Sequence, residues 1–213
     1  MHLITDQYST KDRWVLDITK INPKQSQAFE PRGTDYVLLL SADMQSDRIS
    51  LKGAIAATTM TAPYEITCGA DAHAAVISTY GLCLPENTVT MVDTGLKGNL
   101  TYMDGGTNTN AINPSREGDP VVNYVWFPPG MDQTPHIHPS HRIGLCLDGT
   151  GRTDLQDHTV ALQRGDLFFM ARTELHHFVT ERDPCVLFVF APDSETGPTD
   201  ESNPLKARTY IGK

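Results

Sequence analysis

Short apolar runs separated by turn residues recur along the whole chain, and this spacing limits the folds that the chain can adopt. Few stretches longer than about a dozen residues show the 3.6-residue period of an amphipathic helix. The pattern predicts an antiparallel all-β protein with little helix. The predicted strands are Trp14–Ile18, Tyr36–Leu40, Ile49–Ala57, Ala74–Thr79, Thr88–Asp93, Val121–Phe127, Ile143–Leu147, Thr159–Leu162, Leu167–Met170 and Val186–Phe190.

A stretch rich in Gly, Asn, Thr and Pro, from Gly105 to Pro120, predicts a loop between two halves of the chain. We therefore expect two domains, residues 1–110 and 111–213, each about the size of a small β-barrel. The second domain is expected to end in a surface tail after Asp193, where Gly, Pro, Ser and acidic residues are crowded together.

A weak internal match relates the two halves. Laying Gly53–Thr67 over Gly165–Val179 places glycine on glycine and Tyr64 on His176. Few residues are identical, so chance similarity between two β-hairpins accounts for the match as well as a true repeat does. If the repeat is real, the first half is a barrel without histidines at the matching positions. It would then be structural, or would form a wall of the pocket.

Composition excludes several classes of partner. A formal net charge of -9 argues against binding to nucleic acid or to an anionic membrane surface, which both require clustered Lys and Arg. No apolar run approaches the ~20 residues of a membrane span, and the first residues lack a signal-peptide pattern, so we expect a cytoplasmic protein. The four cysteines form no C-x-x-C pair and predict buried thiols. A small molecule is the expected partner.

Three histidines carry the chemistry of this sequence. In the segment FPPGMDQTPHIHPSHRIG, His136 and His138 stand two residues apart, so on a strand both side chains point to one face. A third, His176, lies in RGDLFFMARTELHHF on the next predicted strand, and its neighbour His177 faces the other way. One histidine alone is usually a core or surface residue, whereas three histidines whose spacing lets them face one space predict a metal site.

These segments resemble the two sequence motifs of the cupin superfamily. The first motif is matched at Gly130, His136, His138 and Gly149, and the second is matched at Gly165 and His176 with its spacing intact. The resemblance covers about 70 residues. It implies that residues 120–192 form a cupin β-barrel, the double-stranded β-helix or jelly roll, which holds one divalent metal with the three histidines. With a degenerate first barrel the whole chain would be a bicupin, and such barrels expose sheet edges that a homodimer often covers.

The chain departs from the cupin motifs at two places. Ala171 and Thr173 stand where the second motif has P-x-G, which changes a turn but no ligand. Arg142 stands where the first motif has a glutamate ligand. A guanidinium stays protonated and only donates hydrogen bonds, so it cannot bind a cation. The expected site is three neutral imidazoles, unless another ligand comes from elsewhere in the chain.

Three neutral imidazoles leave the 2+ charge of a metal ion uncompensated and leave positions open. This ligand type suits Fe(II) or Zn(II), and also Ni or Cu. An anionic substrate would supply the missing charge, and an inward-facing Arg142 would grip its carboxylate. The alternative is that Arg142 turns to solvent or pairs with Asp148 or Glu174.

Strand alternation selects the other site residues. Glu174 precedes His176 by two residues, so on a strand both side chains point to the same face, and Glu174 is a candidate general base. Arg142, which would bind the substrate anion, is the second candidate catalytic residue. Both His141 and His177 fall near the ligands, as outer proton-transfer groups or simply as exposed residues. The substrate pocket is expected to be lined by Trp126, Cys146, Phe168, Met170 and Phe178.

Resemblance within the superfamily suggests three functions. Cupins with three histidines and no glutamate are similar to non-haem Fe(II) dioxygenases of the gentisate type and to thiol dioxygenases, which favours an Fe(II) dioxygenase acting on a small organic or amino acid. The run FPPGMDQTPHIHPSHRIG, with Pro139, Ser140 and Arg142 after the histidine pair, also resembles the zinc cupin domains of hydrazine synthetases, which implies redox-neutral Zn(II) chemistry. A non-catalytic cupin that binds a small ligand is the third possibility, and a fourth protein ligand such as His141 would mark it.

Overall fold

The computed structural model describes residues 2–5, 15–84, 87–194 and 196–207, and strands dominate them. In the first half the strands are β1 (His2–Thr5), β2 (Val15–Ile21), β3 (Ser26–Phe29), β4 (Gly33–Ser46), β5 (Ser50–Met60), β6 (Tyr64–Thr67), β7 (His73–Tyr80) and β8 (Val89–Met91). In the second half they are β9 (Leu100–Thr101), β10 (Thr107–Ile112), β11 (Val121–Phe127), β12 (Arg142–Leu155), β13 (Thr159–Gln163), β14 (Leu167–Met170), β15 (His176–Val179) and β16 (Cys185–Ala191).

Helix is confined to a 3-10 turn at Met103–Gly105 and to α1 (Pro204–Ala207) within the described ranges. No helix in this part of the chain has the length and apolarity that crossing a membrane requires. The prediction of an all-β protein with little helix is therefore confirmed.

The strands form two antiparallel sheets, one from each half of the chain. The first has the order β1-β2-β7-β4-β5-β8, with β6 paired to both β3 and β4. The second has the order β13-β12-β16-β11-β10-β9, with β14 and β15 paired to β12. Neither path closes on itself among the described strands. The two-barrel arrangement and its boundary at residue 110 stay predictions.

The central strands are buried on both faces, which explains their continuous apolar sequences. In β4, Val37 and Leu39 face the interior of the first half, whereas Tyr36 and Leu38 on the opposite face join a core shared by both halves. Successive residues of a strand point to opposite faces, so a strand covered on both sides needs an unbroken apolar run. The sequence YVLLL in β4 meets this requirement.

The core shared by the two halves, called the central core below, packs the two sheets against each other. Val186, Phe188 and Phe190 of β16 contribute to it from the second half. Phe190 contacts Tyr36 of the first half edge to face, with 5.0 Å between ring centroids. Such aromatic pairs contribute about 0.5–1.5 kcal/mol beyond the area they bury. Hydrophobic packing thus fixes the second sheet on the first.

The second half also has a core of its own, on the inner face of its sheet. This inner core includes Val125 and Phe127 of β11, Leu187 of β16 and Phe178 of β15. Phe178 contacts Phe127, with ring centroids 5.1 Å apart. Since Phe178 follows His176 by two residues, packing of the inner core fixes the strand that carries this histidine.

The segment Gly105–Pro120 was expected to be loop, but it contains β10, which pairs with both β9 and β11. The sequence TNTNAI of β10 has no apolar alternation, so its strand character depends on its neighbours rather than on a pattern of its own. The short polar strand β3 was missed for the same reason. Trp14, the expected start of a strand, lies outside the described residues.

Candidate metal centre

Two separate segments bring three imidazoles together in the second half. His136 and His138 lie in the loop between β11 and β12, and His176 begins β15. The backbone N–H groups of His136 and His176 each donate to the carbonyl oxygen of the other, both at 3.0 Å. The Thr173 N–H donates to the His138 carbonyl oxygen at 2.9 Å. Backbone hydrogen bonds therefore tie the histidine loop to the segment around β15.

The side chains of these histidines converge on one point. One ring nitrogen from each of His136, His138 and His176 lies within 4.8 Å of the other two. The ring centroids of His136 and His176 are 4.5 Å apart, and those of His138 and His176 are 5.1 Å apart. The three histidines that the sequence pattern grouped therefore lie together, and they could hold one metal ion.

Hydrogen bonds orient two of the rings for metal binding. Nδ1 of His136 lies 3.0 Å from the Thr134 carbonyl oxygen, and Nδ1 of His176 lies 2.8 Å from the Glu174 carbonyl oxygen. A carbonyl oxygen only accepts, so Nδ1 carries the proton in both rings and Nε2 keeps its lone pair. His176 Nε2 is buried without a hydrogen-bond partner among the residues that the structure describes. Such a buried polar atom is costly unless something binds it. The donor set fits a divalent metal ion.

Burial and nearby positive charge lower the pKa values of two of the imidazoles, those of His138 and His176. Burial, then the Arg142 charge and the two other rings, lowers the pKa of His138 to about 3. Burial is also the main cause that lowers the pKa of His176. Neutral imidazole is the form that binds metals. These rings therefore offer lone pairs at neutral pH without losing a proton first.

The histidines open into a small cavity of about 220 Å³. Its other lining residues are Tyr102, Asn108, Asn123, Val125, Phe127, Gln133, Arg142, Met170, Phe178 and Val189. The apolar side chains exclude water from one side of the cavity, while amide, phenol and guanidinium groups supply hydrogen-bond donors. No carboxylate is among these residues.

Arg142 lines this cavity from the start of β12 and does not turn to solvent. Its Nη1 donates to the Ser140 carbonyl at 3.1 Å, to Ser140 Oγ at 2.7 Å and to the His141 carbonyl at 3.0 Å. In the described part of the chain, neither Asp148 nor Glu174 forms an ion pair with it. One nitrogen therefore anchors the guanidinium, and Nε and Nη2 make no hydrogen bond with described residues.

The five predicted pocket residues separate into three groups. Met170 and Phe178 line the cavity. Cys146 and Phe168 face the same side of the sheet but pack into the inner core, and Phe168 borders a different cavity. Trp126, expected in the pocket, packs against the central core instead. Its two strand neighbours line the cavity, so alternation places Trp126 on the opposite face.

Glu174 does not reach the cavity with its carboxylate. Oε2 accepts a hydrogen bond from the Ala171 N–H at 2.8 Å and closes the turn before β15. The strand begins only at His176, so strand parity does not apply to Glu174. Its backbone carbonyl, rather than its carboxylate, contacts the site by orienting His176. The general-base role predicted for Glu174 therefore lacks a geometric basis.

The two other histidines predicted near the ligands, His141 and His177, do not join the group. Nδ1 of His141 accepts a hydrogen bond from the Arg172 N–H at 3.0 Å, and its ring packs on Phe169. Nδ1 of His177 lies 3.0 Å from an Asp132 carboxylate oxygen, on the face away from the cavity. Neither belongs to the group of converging histidines. His141 therefore does not close the site as a fourth ligand.

Most of the polar residues that line the cavity are not predicted by the sequence pattern. Gln133 is buried and its Oε1 accepts a hydrogen bond from the Phe178 N–H at 3.2 Å. Its Nε2 has no hydrogen-bond partner in the described part of the chain. Tyr102 places its hydroxyl 3.5 Å from Nε2 of His136. A usable signal existed for Asn123, because alternation along the predicted strand 121–127 sets it on the same face as Val125. Gln133 and Tyr102 lie in loops, where no such signal exists.

The first half contains an aromatic pair that matches the histidine pair. Phe29 of β3 pairs in register with Tyr64 of β6, and their rings stack 5.0 Å apart. In the second half His136 pairs in the same antiparallel manner with His176. This agrees with the internal alignment that sets Tyr64 on His176. An aromatic stack cannot bind a metal ion as two imidazoles can.

Comparison with known proteins supports the same fold. The family model of the AraC-like ligand-binding domain matches residues 127–196. No curated protein matches the chain in sequence. Among solved structures, a cupin 2 conserved barrel domain protein from Leptotrichia buccalis is 13% identical with a TM-score of 0.58, covering 85% of this chain and 84% of that one.

Two further structures are similar over both halves. Salicylate 1,2-dioxygenase from Pseudaminobacter salicylatoxidans is 11% identical, with a TM-score of 0.57, over 84% of this chain and 71% of that chain. AerE from Microcystis aeruginosa is 11% identical, with a TM-score of 0.58, over 89% of this chain and 90% of that chain. With its motifs, strand arrangement and histidine group, the chain resembles the cupin proteins and shares their fold.

Proposed function

We propose that this cupin is a metal-dependent enzyme that acts on a small organic or amino acid, as a non-haem Fe(II) dioxygenase with a three-histidine site. The observation that carries the proposal is the convergence of His136, His138 and His176 on a cavity that Arg142 also lines. A fold alone does not determine a reaction, whereas the residues of this site limit the chemistry that it can support.

The three histidines would hold one divalent ion, Fe(II) in the favoured assignment and Zn(II) in the alternative. Imidazole ligands suit both ions, and three protein ligands leave positions for a substrate. Bound Fe(II) would supply the activation of dioxygen and substrate. The hydrogen bonds from Nδ1 of His136 and His176 to backbone carbonyls hold these two rings in the metal-binding tautomer.

Charge selects an anionic substrate. Three neutral imidazoles compensate none of the charge of a divalent ion, and Arg142 adds another positive charge. In a partly desolvated cavity these charges require an anion. The proposed role of Arg142 is to bind the substrate carboxylate with the nitrogens that Ser140 and His141 leave free.

The cavity also limits the size of the substrate. At about 220 Å³ it lies below the ~300–1,000 Å³ of drug-sized ligand pockets. Val125, Phe127, Met170 and Phe178 form an apolar wall that fits one ring or a short aliphatic chain and excludes water. Salicylate 1,2-dioxygenase, which shares the fold, is named for a single-ring acid of this kind. Small aromatic acids are therefore the first substrates to test.

The test begins with metal analysis of the protein purified without added metal. Oxygen uptake is then measured after loading with Fe(II), with salicylate, gentisate and a panel of aliphatic and amino acids. We expect iron-dependent oxygen consumption with at least one acid. Tightly held zinc and no oxygen use would instead favour redox-neutral chemistry, and saturable binding without turnover would favour a ligand-binding cupin.

Variants of Arg142 test the anion-binding step separately. We expect Arg142→Met to raise KM for the acid about 10- to 100-fold, the range for loss of a charge-assisted hydrogen-bond pair. The metal content should not change, because Arg142 is not a ligand. Arg182→Met, at an exposed arginine, is the matched control. An unchanged KM in Arg142→Met would contradict the role proposed for Arg142.

A further inference from the structure

A second and larger cavity, of about 1,000 Å³, lies between the first half and strand β14 of the second. Strands β2, β3 and β7 form one side of it, and Ile143, Leu167 and Phe169 form the other. Among the described residues it shares no lining residue with the histidine cavity. Ligand pockets occur preferentially at the junction of two packed units.

Two buried carboxylates lie side by side where the first sheet lines this cavity. Asp17 of β2 and Asp35 of β4 each pair in register with Ser78 of β7, the strand between them. Two strand spacings of ~4.8 Å separate their backbones by about 10 Å. The two residues are 6% and 2% exposed, and both line the cavity. Acidic residues this buried are rare unless something compensates them.

The protein supplies hydrogen-bond donors to only some of the carboxylate oxygens of this acidic pair. Asp35 accepts hydrogen bonds from Tyr64, at 2.8 Å, and from Ser78. The Tyr80 hydroxyl reaches Asp17, but Asp17 Oδ1 is buried and has no hydrogen-bond partner within the described ranges. No Lys, Arg or His in the described part of the chain forms an ion pair with either carboxylate. A buried acceptor without a donor is costly and rare, so an N–H donor supplied at this oxygen would be favourable.

The rest of the cavity defines the body of that ligand. Phe29, Ile18, Ile143, Leu167 and Phe169 give it apolar walls. The charged side chains Lys20, Glu30 and Arg32 also line it, and Glu30 and Arg32 are exposed at its rim. A ligand that matches this arrangement has an apolar body and a cationic head with N–H donors.

We propose that this cavity is a second ligand site, which binds a small organic ammonium compound with its cationic head at Asp17 and Asp35. The ammonium donates to the free Asp17 Oδ1 and neutralises the acidic pair, while the apolar body packs between β3 and β14. The site is independent of the metal centre and takes a ligand of opposite charge.

The probe is 2-phenylethylammonium, titrated into the purified protein by isothermal titration calorimetry. The matched probe 3-phenylpropanoate has a similar body and a negative charge. We expect saturable 1:1 binding of the ammonium, at least about tenfold tighter than that of the carboxylate, since a charge-assisted pair supplies such a factor. Absence of saturable ammonium binding, or equal binding of the two probes, would overturn the proposal.

Three variants assign the binding to this cavity. Asp17→Asn should weaken ammonium binding about tenfold, whereas Asp47→Asn, at an exposed acid, should leave it unchanged. His136→Ala should also leave it unchanged, and loss of binding in that variant would place the probe at the metal centre and refute the proposal. Should Asp17→Asn fail to fold, Thr19→Phe replaces it, because it fills the cavity without removing a carboxylate. Undiminished binding in Thr19→Phe would refute the site.

Discussion

His136 and His176 are joined twice, by a reciprocal pair of backbone hydrogen bonds at 3.0 Å and by side chains whose ring centroids are 4.5 Å apart. The backbone bridge ties the histidine loop to β15 through main-chain groups and does not use the imidazoles. Folding therefore already restricts the conformations of these two residues, which lowers the conformational entropy that metal binding would cost. A metal ion at the site would bind the native state alone and stabilise it further.

Removing a ligand should remove the metal. We expect His176→Ala to lose most of the bound metal, and saturating metal to raise the Tm of the wild-type protein but not that of the variant. Metal content by mass spectrometry and Tm by calorimetry are the measurements. His158→Ala, at an exposed histidine, is the control. Full metal content in His176→Ala would contradict the assignment of this histidine as a ligand.

Thr173 stands at the glycine position of the second cupin motif and adopts a φ of 58°. A β-branched residue in this left-handed region is strained by about 1–2 kcal/mol. Glycine removes this strain. It also makes the unfolded chain more flexible, and this cancels about 0.5–1 kcal/mol of the gain in the free energy of unfolding. We expect Thr173→Gly to raise the free energy of unfolding by about 1 kcal/mol, measured by urea denaturation. Thr173→Ala, which keeps the Cβ, should gain less, and a destabilised Thr173→Gly would show that the strain is compensated elsewhere.

Gly165 joins the two halves closely and should not tolerate a side chain. It has a φ of 88°, and a Cβ there would lie 2.4 Å from Nε2 of His73 in the first half. Backbone strain and overpacking together should make Gly165→Ala less stable by about 2–4 kcal/mol. Gly53→Ala is a matched control, because Gly53 has a φ of 54° but open space around it. Urea denaturation should show a cost of only about 1 kcal/mol there, and equal costs at both sites would exclude the contact with His73.

The pH dependence of stability should report on Asp35. Burial raises its pKa above the ordinary 3.8 despite hydrogen bonds from Ser78 and Tyr64. The folded state therefore holds the Asp35 proton more tightly than the unfolded state does, and this stabilisation is lost as pH rises through the folded-state pKa. We expect Asp35→Asn to gain stability relative to wild type as pH rises from about 4 to 7. Urea denaturation curves across that range measure the difference in free energy of unfolding between Asp35→Asn and wild type. Asp47→Asn is the control for a lost surface charge. A difference that does not change with pH would contradict the prediction.

Sequence alone located the strands that carry their own apolar pattern. Val121–Phe127 and Leu167–Met170 are predicted with the bounds that the structure has, because burial on one or both faces leaves a direct mark on the residues. Strands β3 and β10 leave no such mark. Their sequences show no apolar alternation, and pairing with neighbouring strands makes them strands.

For the site, motif spacing predicted which histidines lie together, since His136 and His138 are two residues apart and His176 has the histidine position of the second motif. Spacing did not determine what surrounds them. Trp126 and Glu174 were misplaced because one lies on the far face of its strand and the other precedes its strand. Gln133 enters the cavity from a loop without any period. Local pattern thus fixes residues that repeat along a strand, whereas loops and the packing of two sheets bring together distant residues, and only the tertiary structure decides these.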